Sequence, residues 1–582
     1  MTHLLRRLGI PAALAVAALA PMDVASGQAP ATPKTGMVCT PQNAGGSTYD
    51  LWASGGYMQT PDGNSVYMWS YQDAAGDASF QTPGPVLCVT EGQTVSITLH
   101  NALPEASSIV FPGQDTEVAA TGGTPGLLTT EAASNATATY TFVAGKPGTY
   151  LYESGSDVSK QIEMGLYGAL IVRPSAHQSW AYNSSSTAFD PSREYLLLLA
   201  EIDPDLHHAV EVASNPNAPA YDFTAVHNRY FTINGRSFPD TIQDNDSVLL
   251  PSQPYGSLVR IQPNTPGNTQ PALIRMINAG VDNHPFHPHG NHTREIAQDG
   301  RLLVAPGGAT ASTEHFAETI GAGQTMDYLL RWDTQSTDSS GQPYNDYWDP
   351  NSNPLPVAQP NYRNLTFKDA HTWYSGNPYL GYKGTMPSGT SSLNICGEWY
   401  FPLHSHALNE FSNFDQGFGG MGTLLRVDPA GGCFAAATAT KILSGTLNAG
   451  SYANLAIDDG KLYKVNSTTT GATRVADWYG QFGGLPAGAT NLAITYKGSN
   501  SSSASQTVYL WDWTTSSWTQ LSGPTSVGTS DVTVTPSVIS LPANYIGTGT
   551  KHGMVRIRVR NSKASTSFVT RGNLMKIVYD AP

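Results

Sequence analysis

From Thr94 to Leu99 the chain alternates polar and apolar side chains, the period of two that a half-buried strand requires. Thr137 to Val143 and Leu166 to Val172 read as further strands, with Gly and Pro turns between them. Glu194 to Leu199 is an apolar run short enough for a strand buried on both faces. Strand patterns recur at Tyr230 to Ile233, Ser257 to Ile261, Leu273 to Ile277, Met326 to Trp332, Glu398 to Leu403 and Gly422 to Val427. Near the C-terminus, Thr507 to Trp513 and Ser517 to Leu521 read as a hairpin. Heptads and a phosphate-binding loop are missing from the sequence. The pattern predicts an all-β chain.

The segments fall into units. Residues 37–175 read as one β-domain and 190–430 as a second. Inside the second, from about 333 to 394, Asn, Pro, Ser, Tyr and Gly predominate, and this stretch reads as a long insertion between strands. Ala-Thr repeats at 435–440 suggest a linker, and 441–582 a further β-sandwich.

Composition narrows the class. Charged residues make up only 13% against 40% hydrophobic, which excludes a disordered chain. The net charge of −14 and the lack of a basic stripe argue against nucleic acid as a partner. Residues 1–27 read as a cleaved export signal: Arg6 and Arg7, an apolar stretch from Leu8 to Ala20, then Ala25-Ser26-Gly27. That stretch is short of the roughly 20 apolar residues a membrane span needs, and no other segment reads as one, so the expected location is secreted, periplasmic or cell-surface. Four cysteines in an exported chain suggest disulfides. Three pairings are open, and the sequence-local one, Cys39–Cys88 with Cys396–Cys433, is expected.

The candidate chemistry is histidine. His284-Pro285-Phe286-His287-Pro288-His289-Gly290-Asn291-His292 holds four of the chain's 15 histidines, and His404-Ser405-His406 holds two more. In an extended segment each His-x-His pair puts both imidazoles on one face. Two such strands side by side bring four imidazoles together, a donor set that suits copper, zinc, iron or nickel. His287 and His289 share a face, while His284 is offset by an odd number from both.

"HPFHPHG" followed by "IAQDGR" resembles a motif of the multicopper oxidases, and "FPLHSHALNE…GGM" resembles their C-terminal His-Cys-His motif. "EGQTVSITLHNAL", "QIEMGLYGALIV", "FTINGRSFPD" and "LIRMINAG" are similar to cupredoxin strands of the same family. The resemblance implies tandem cupredoxin-like Greek-key β-sandwiches followed by a C-terminal β-sandwich. It implies His284 as a type 1 copper ligand, and His287, His289, His404 and His406 as ligands of the type 2/type 3 cluster.

The departures from the family pattern shape the expectation. Ser405 stands where the family has its cysteine, and a blue site needs a thiolate with two imidazoles. Glu410 stands where the later type 1 histidine belongs, and Met421 matches the axial methionine only across an insertion. In the first domain the family's His-Trp-His-Gly falls on Val110-Phe111-Pro112-Gly113, and its second His-x-His on Glu153-Ser154-Gly155. Of eight cluster histidines four remain, with Glu153 a possible oxygen donor. Copper is expected as cofactor, in fewer than the family's usual four ions. His284, Glu410 and His292 are candidates for a second, non-blue site. His207-His208 reads as a solvated pair in an acidic loop.

Three functions compete: an atypical copper-dependent oxidoreductase acting on a small molecule or metal ion, a copper-binding or storage protein without turnover, and a cell-surface interaction protein on a cupredoxin scaffold. The C-terminal aromatics Trp478, Tyr479, Tyr509, Trp511, Trp513 and Trp518 suit either carbohydrate or cell-surface binding or, for most of them, core packing.

Overall fold

The computed structural model describes residues 35–331, 399–427 and 433–580, except 43–46, 77–78, 115–116, 216–220, 223, 262–269, 290–291, 415, 418, 457, 459 and 486–487. The expected export signal at 1–27, the expected insertion at 333–394 and Cys396 lie outside the described residues. Cys39 and Cys88 form a disulfide.

Alternation becomes layering. In Thr94–Asn101 every second residue is buried, which turns Val95, Ile97 and Leu99 inward. That strand lies in a five-stranded sheet, ordered Ser65–Gln72, Thr48–Gln59, Thr94–Asn101, Thr137–Val143 and Ala119–Thr121. A second sheet, Leu87–Thr90, Tyr167–Arg173 and Gly148–Glu153, closes over the same core. Thr48–Gln59 runs parallel to Thr94–Asn101, and Leu87–Thr90 parallel to Tyr167–Arg173.

The next sandwich repeats this plan. One sheet is ordered Tyr230–Ile233, Glu194–Ile202, Ala272–Asn278, Thr325–Leu330, Thr293–Gln298 and Arg301–Leu302, with Thr313–His315 also paired to Thr293–Gln298. The facing sheet is ordered Val259–Ile261, Gly422–Val427, Trp399–Ser405, His284–Pro288 and Glu318–Ile320. The corresponding parallel pairs recur. The two units are tandem cupredoxin-like sandwiches, and Gly148–Glu153 in the first occupies the place of Trp399–Ser405 in the second, each antiparallel to its unit's last strand.

They pack sheet against sheet. Val86, Leu151, Ala169 and Ile171 of the first meet Leu196, Leu198, Ala200 and Ile277 of the second in one buried cluster. This contact explains why all nine residues of Glu194–Ile202 are buried. Arg275, fully buried, crosses the junction. It donates to Glu194 Oε1 at 2.7 Å and to Thr149 Oγ1 at 2.9 Å, while Arg173 donates to Glu194 Oε2 at 2.7 Å.

The third sandwich has two six-stranded sheets around Trp478, Tyr496, Ile557 and Ile577. The expected hairpin is present, as Ala504–Asp512 paired with Ser517–Val527. Three expectations need correction. The Ala-Thr run is no linker: Cys433–Ala436 pairs with Val569–Asp580, and Ala439–Ser444 with Thr473–Phe482. Small and β-branched residues suit strands as well as loops, and only distant partners decide. Of the six aromatics, Trp478 and Tyr479 are buried, but Tyr509, Trp511, Trp513 and Trp518 are partly exposed. Arg556 lies over Tyr479 and Trp513, and Arg558 over Tyr509 and Trp518, a cation–π ladder on the outer sheet face. Finally, His207 is not in a solvated loop. It sits on the helix Pro204–Glu211, capped by the Asp203 carboxylate, and is fully buried with its ring nitrogens against the Tyr67 and Glu163 carbonyls; His208 is exposed. The acidic neighbours that suggested a loop are the cap and first turn of that helix.

Candidate metal centre

Both histidine motifs become neighbouring strands. His284–Pro288 pairs antiparallel with Trp399–Ser405, and His287 lies opposite His404. Backbone bonds from His289 N–H to Pro402 O (2.9 Å) and from His406 N–H to Pro285 O (2.7 Å) carry the pairing past the strand ends. The alternation of the first strand buries His284, Phe286 and Pro288 and turns His287 outward. The odd offset noted in the sequence thus sorts the histidines onto two faces.

On the outward side four imidazoles gather. The His287 ring centre lies 4.6 Å from His289, 5.9 Å from His404 and 5.3 Å from His406. The Nε2 atoms of His289 and His404 are 3.1 Å apart. Two nitrogens sharing one ion through bonds of about 2.0 Å stand roughly this far apart, so the pair fits a copper ion. His404 Nδ1 lies 2.7 Å from the Ser405 carbonyl and His287 Nδ1 lies 2.5 Å from that of Phe316. Nδ1–H donation to those carbonyls leaves each Nε2 lone pair for a metal, the usual outer-shell device for metal-binding imidazoles. Burial, then the neighbouring imidazoles, push His289 down to about 4. Burial and the His287 and His406 rings also lower His404, against the bond to Ser405 O. Both are neutral near pH 7, the state a metal requires.

The inward side is different chemistry at the type 1 positions. Ser405 N–H donates to Met421 O at 3.0 Å, and Met421 N–H to Glu410 O at 2.9 Å. Glu410 Oε2 lies 2.9 Å from His284 Nδ1. Ser405, Glu410, Met421 and His284 therefore converge, as the family pattern implies, despite the extra residues before Met421. Ser405 offers a hydroxyl where a blue site needs a thiolate. The Ser405 hydroxyl accepts from Ala407 N–H at 3.3 Å, and Met421 is packed in the core. His284 Nε2 faces a second carboxylate, Glu201 Oε1, at 3.3 Å. Burial opposes protonation of His284, but Glu201 and Glu410 outweigh it and push the imidazole up to about 9. With carboxylates at its opposite ring nitrogens, His284 carries a proton rather than presenting a lone pair. The expected second site of His284, Glu410 and His292 is thus seen here as a buried ion pair of His284 and Glu410. His292 instead has its ring 6.2 Å from Phe316, on the side of the outward cluster.

Glu201 was not singled out in the sequence. Its only signal is a carboxylate at the end of an apolar strand, where an unpaired charge would be costly. In the first sandwich, Val110 and Glu153 bridge each other through N–H···O bonds of 2.8 and 3.2 Å, the counterpart of the His287–His404 pairing. Burial pushes Glu153 up to about 7.

Parts of the chain are similar to known proteins. The family model described as multicopper oxidase matches residues 69–177. Over 164 residues the chain is 30% identical to Copper resistance protein A of Escherichia coli, covering 28% of this chain and 25% of that protein. It is 28% identical to Putative laccase-11 of Oryza sativa subsp. japonica, covering 43% and 41%. The chain thus spans well under half the length of these curated relatives. A blue copper oxidase structure from Nitrosomonas europaea aligns with 65% of this chain and 85% of its own, at 18% identity and a TM-score of 0.42.

Proposed function

We propose that this chain, a member of the multicopper oxidase family, is an exported copper protein that works as an atypical copper-dependent oxidoreductase without a blue type 1 centre. The observation that carries the reading is the His289–His404 nitrogen pair at 3.1 Å inside a four-imidazole group. His289 and His404 hold the ion, and His287 and His406 flank it with donors of the same kind. Bound copper supplies one-electron redox chemistry, and a phenol, an amine or a lower-valent metal ion is the class of reductant that suits it. Exposed groups suited to contact such substrates lie here: His406, with Leu408 two residues on at 68% exposed, and Phe316, 61% exposed and against His287. Among the described residues no helix is long and apolar enough to cross a membrane.

Storage without turnover is the second reading. It is favoured by the carboxylates around His284 and by Val110 and Glu153 at the bridge that matches His287–His404. The partly exposed tryptophans of the third sandwich suit a carbohydrate or cell-surface ligand, although Arg556 and Arg558 already cover part of that face.

Metal analysis and electron paramagnetic resonance of the copper-reconstituted chain, with oxidation of a phenolic dye, test the proposal. Bound copper without a blue band, and dye oxidation lost in His289→Ala/His404→Ala, are expected. Copper retained with equal dye rates in wild type and variant leaves storage; no retained copper overturns both readings.

A further inference from the structure

We propose a second cation site, separate from the histidine cluster, in which Glu295, His315 and Glu318 bind a divalent transition-metal ion such as Zn2+ or Co2+. One ligand atom from each lies within 4.8 Å of the other two.

The register builds the site. Thr293 pairs with His315 and Glu295 with Thr313, so Glu295 and His315 lie on one face of adjacent strands. Glu318 comes from the other sheet, opposite Phe286. The segment from Thr313 to Ile320 therefore crosses between the two sheets, and the three side chains meet where it crosses.

The carboxylates lack the partners that burial demands. Glu295 is only 9% exposed and takes no hydrogen bond among the described residues. Glu318 Oε1 is buried and has no hydrogen-bond partner; the His315 Nδ1 atom 2.9 Å away is poorly aligned. His315 Nε2 is engaged by Thr313 Oγ1 at 2.6 Å, which leaves Nδ1 aimed at the carboxylates. Two carboxylates converging with one imidazole leave a deficit of positive charge. A divalent ion removes it, and the imidazole favours a transition metal over Mg2+ or Ca2+. Such an ion would also tie down the segment whose Phe316 carbonyl holds His287.

The test soaks crystals of the full-length wild-type chain in Zn2+ and measures anomalous scattering at the zinc edge. A peak among Glu295, His315 and Glu318 is expected. A peak at the histidine cluster with none here overturns the proposal while leaving the copper reading intact. In solution, full-length His289→Ala/His404→Ala is expected to bind one equivalent of Co2+, with at least tenfold weaker binding once His315→Ala or Glu318→Gln is added. Unchanged Co2+ affinity after both additions would also overturn it.

Discussion

His289 and His404 face each other nitrogen to nitrogen at 3.1 Å, from strands whose motifs lie more than a hundred residues apart in the chain. At this distance one neutral imidazole donates N–H to the other, and a copper ion shared by both nitrogens would take the place of that proton. Alanine at either position is expected to weaken copper binding by more than the roughly 10–100-fold typical of losing an outer-shell partner. Equilibrium dialysis against a copper chelator measures this, and wild-type affinity in both variants would refute the pairing.

Acid should release the copper late. The His289 imidazole is pushed down to about 4, so protons compete for it only near that pH. Copper is expected to stay bound at pH 5 and to leave only at or below about pH 4. Release centred near pH 6.5, the ordinary imidazole value, would contradict the burial that lowers His289.

Alkali should weaken the fold through His284. Its folded value of about 9 lies above the unfolded value of about 6.5. The native state therefore holds the extra proton between these values, and stability falls as pH rises through that window. Below about 6.5 the contribution is complete. Melting temperatures at pH 6, 8 and 9.5 should show this slope in wild type and lose it in His284→Gln, with a cost of about 3–5 kcal/mol at pH 6 for breaking a buried pair.

Building a blue centre at these positions requires more than a cysteine. Ser405→Cys alone leaves Glu410 and Glu201 pairing with His284. Ser405→Cys with Glu410→His and Glu201→Gln offers a thiolate and two neutral imidazoles beside Met421. An intense visible band on adding copper is expected for the triple variant and not for the single one. A colourless triple variant that folds would show that these positions do not converge closely enough.

Arg275 should matter to stability more than to metal. Arg275→Ala leaves Glu194 and Asp327 buried with less compensation, a loss of about 3–5 kcal/mol. Denaturant unfolding should show it, while copper stoichiometry at low temperature stays unchanged.

Much of this was legible in the chain itself. Alternation located the strands, and the spacing of His284, His287 and His289 placed the first on the opposite face from the others. What local pattern could not supply was partnership across distance. Glu201 reads as the end of an apolar strand until the fold sets it against His284. His207 reads as polar loop until a helix cap is recognised at Asp203. Glu295, His315 and Glu318 have no motif spacing, because two sheets and a crossing segment bring them together. The Ala-Thr run became strands because Val569–Asp580 and Thr473–Phe482 were waiting to pair with it.

The hydroxyl of Ser405 has a consequence for circuitry. In a thiolate-bridged centre, the electron donor and the oxidant can dock at different places, because the sulfur wires one ion to the next. Here that wire is cut, and a protonated imidazole stands where the relay would begin. If the chain is the oxidoreductase proposed, donor and acceptor then meet the same ion, in turn, at the same exposed face. Such a centre would be governed by competition for one docking place: excess reductant should slow turnover, and the order in which reactants arrive should matter.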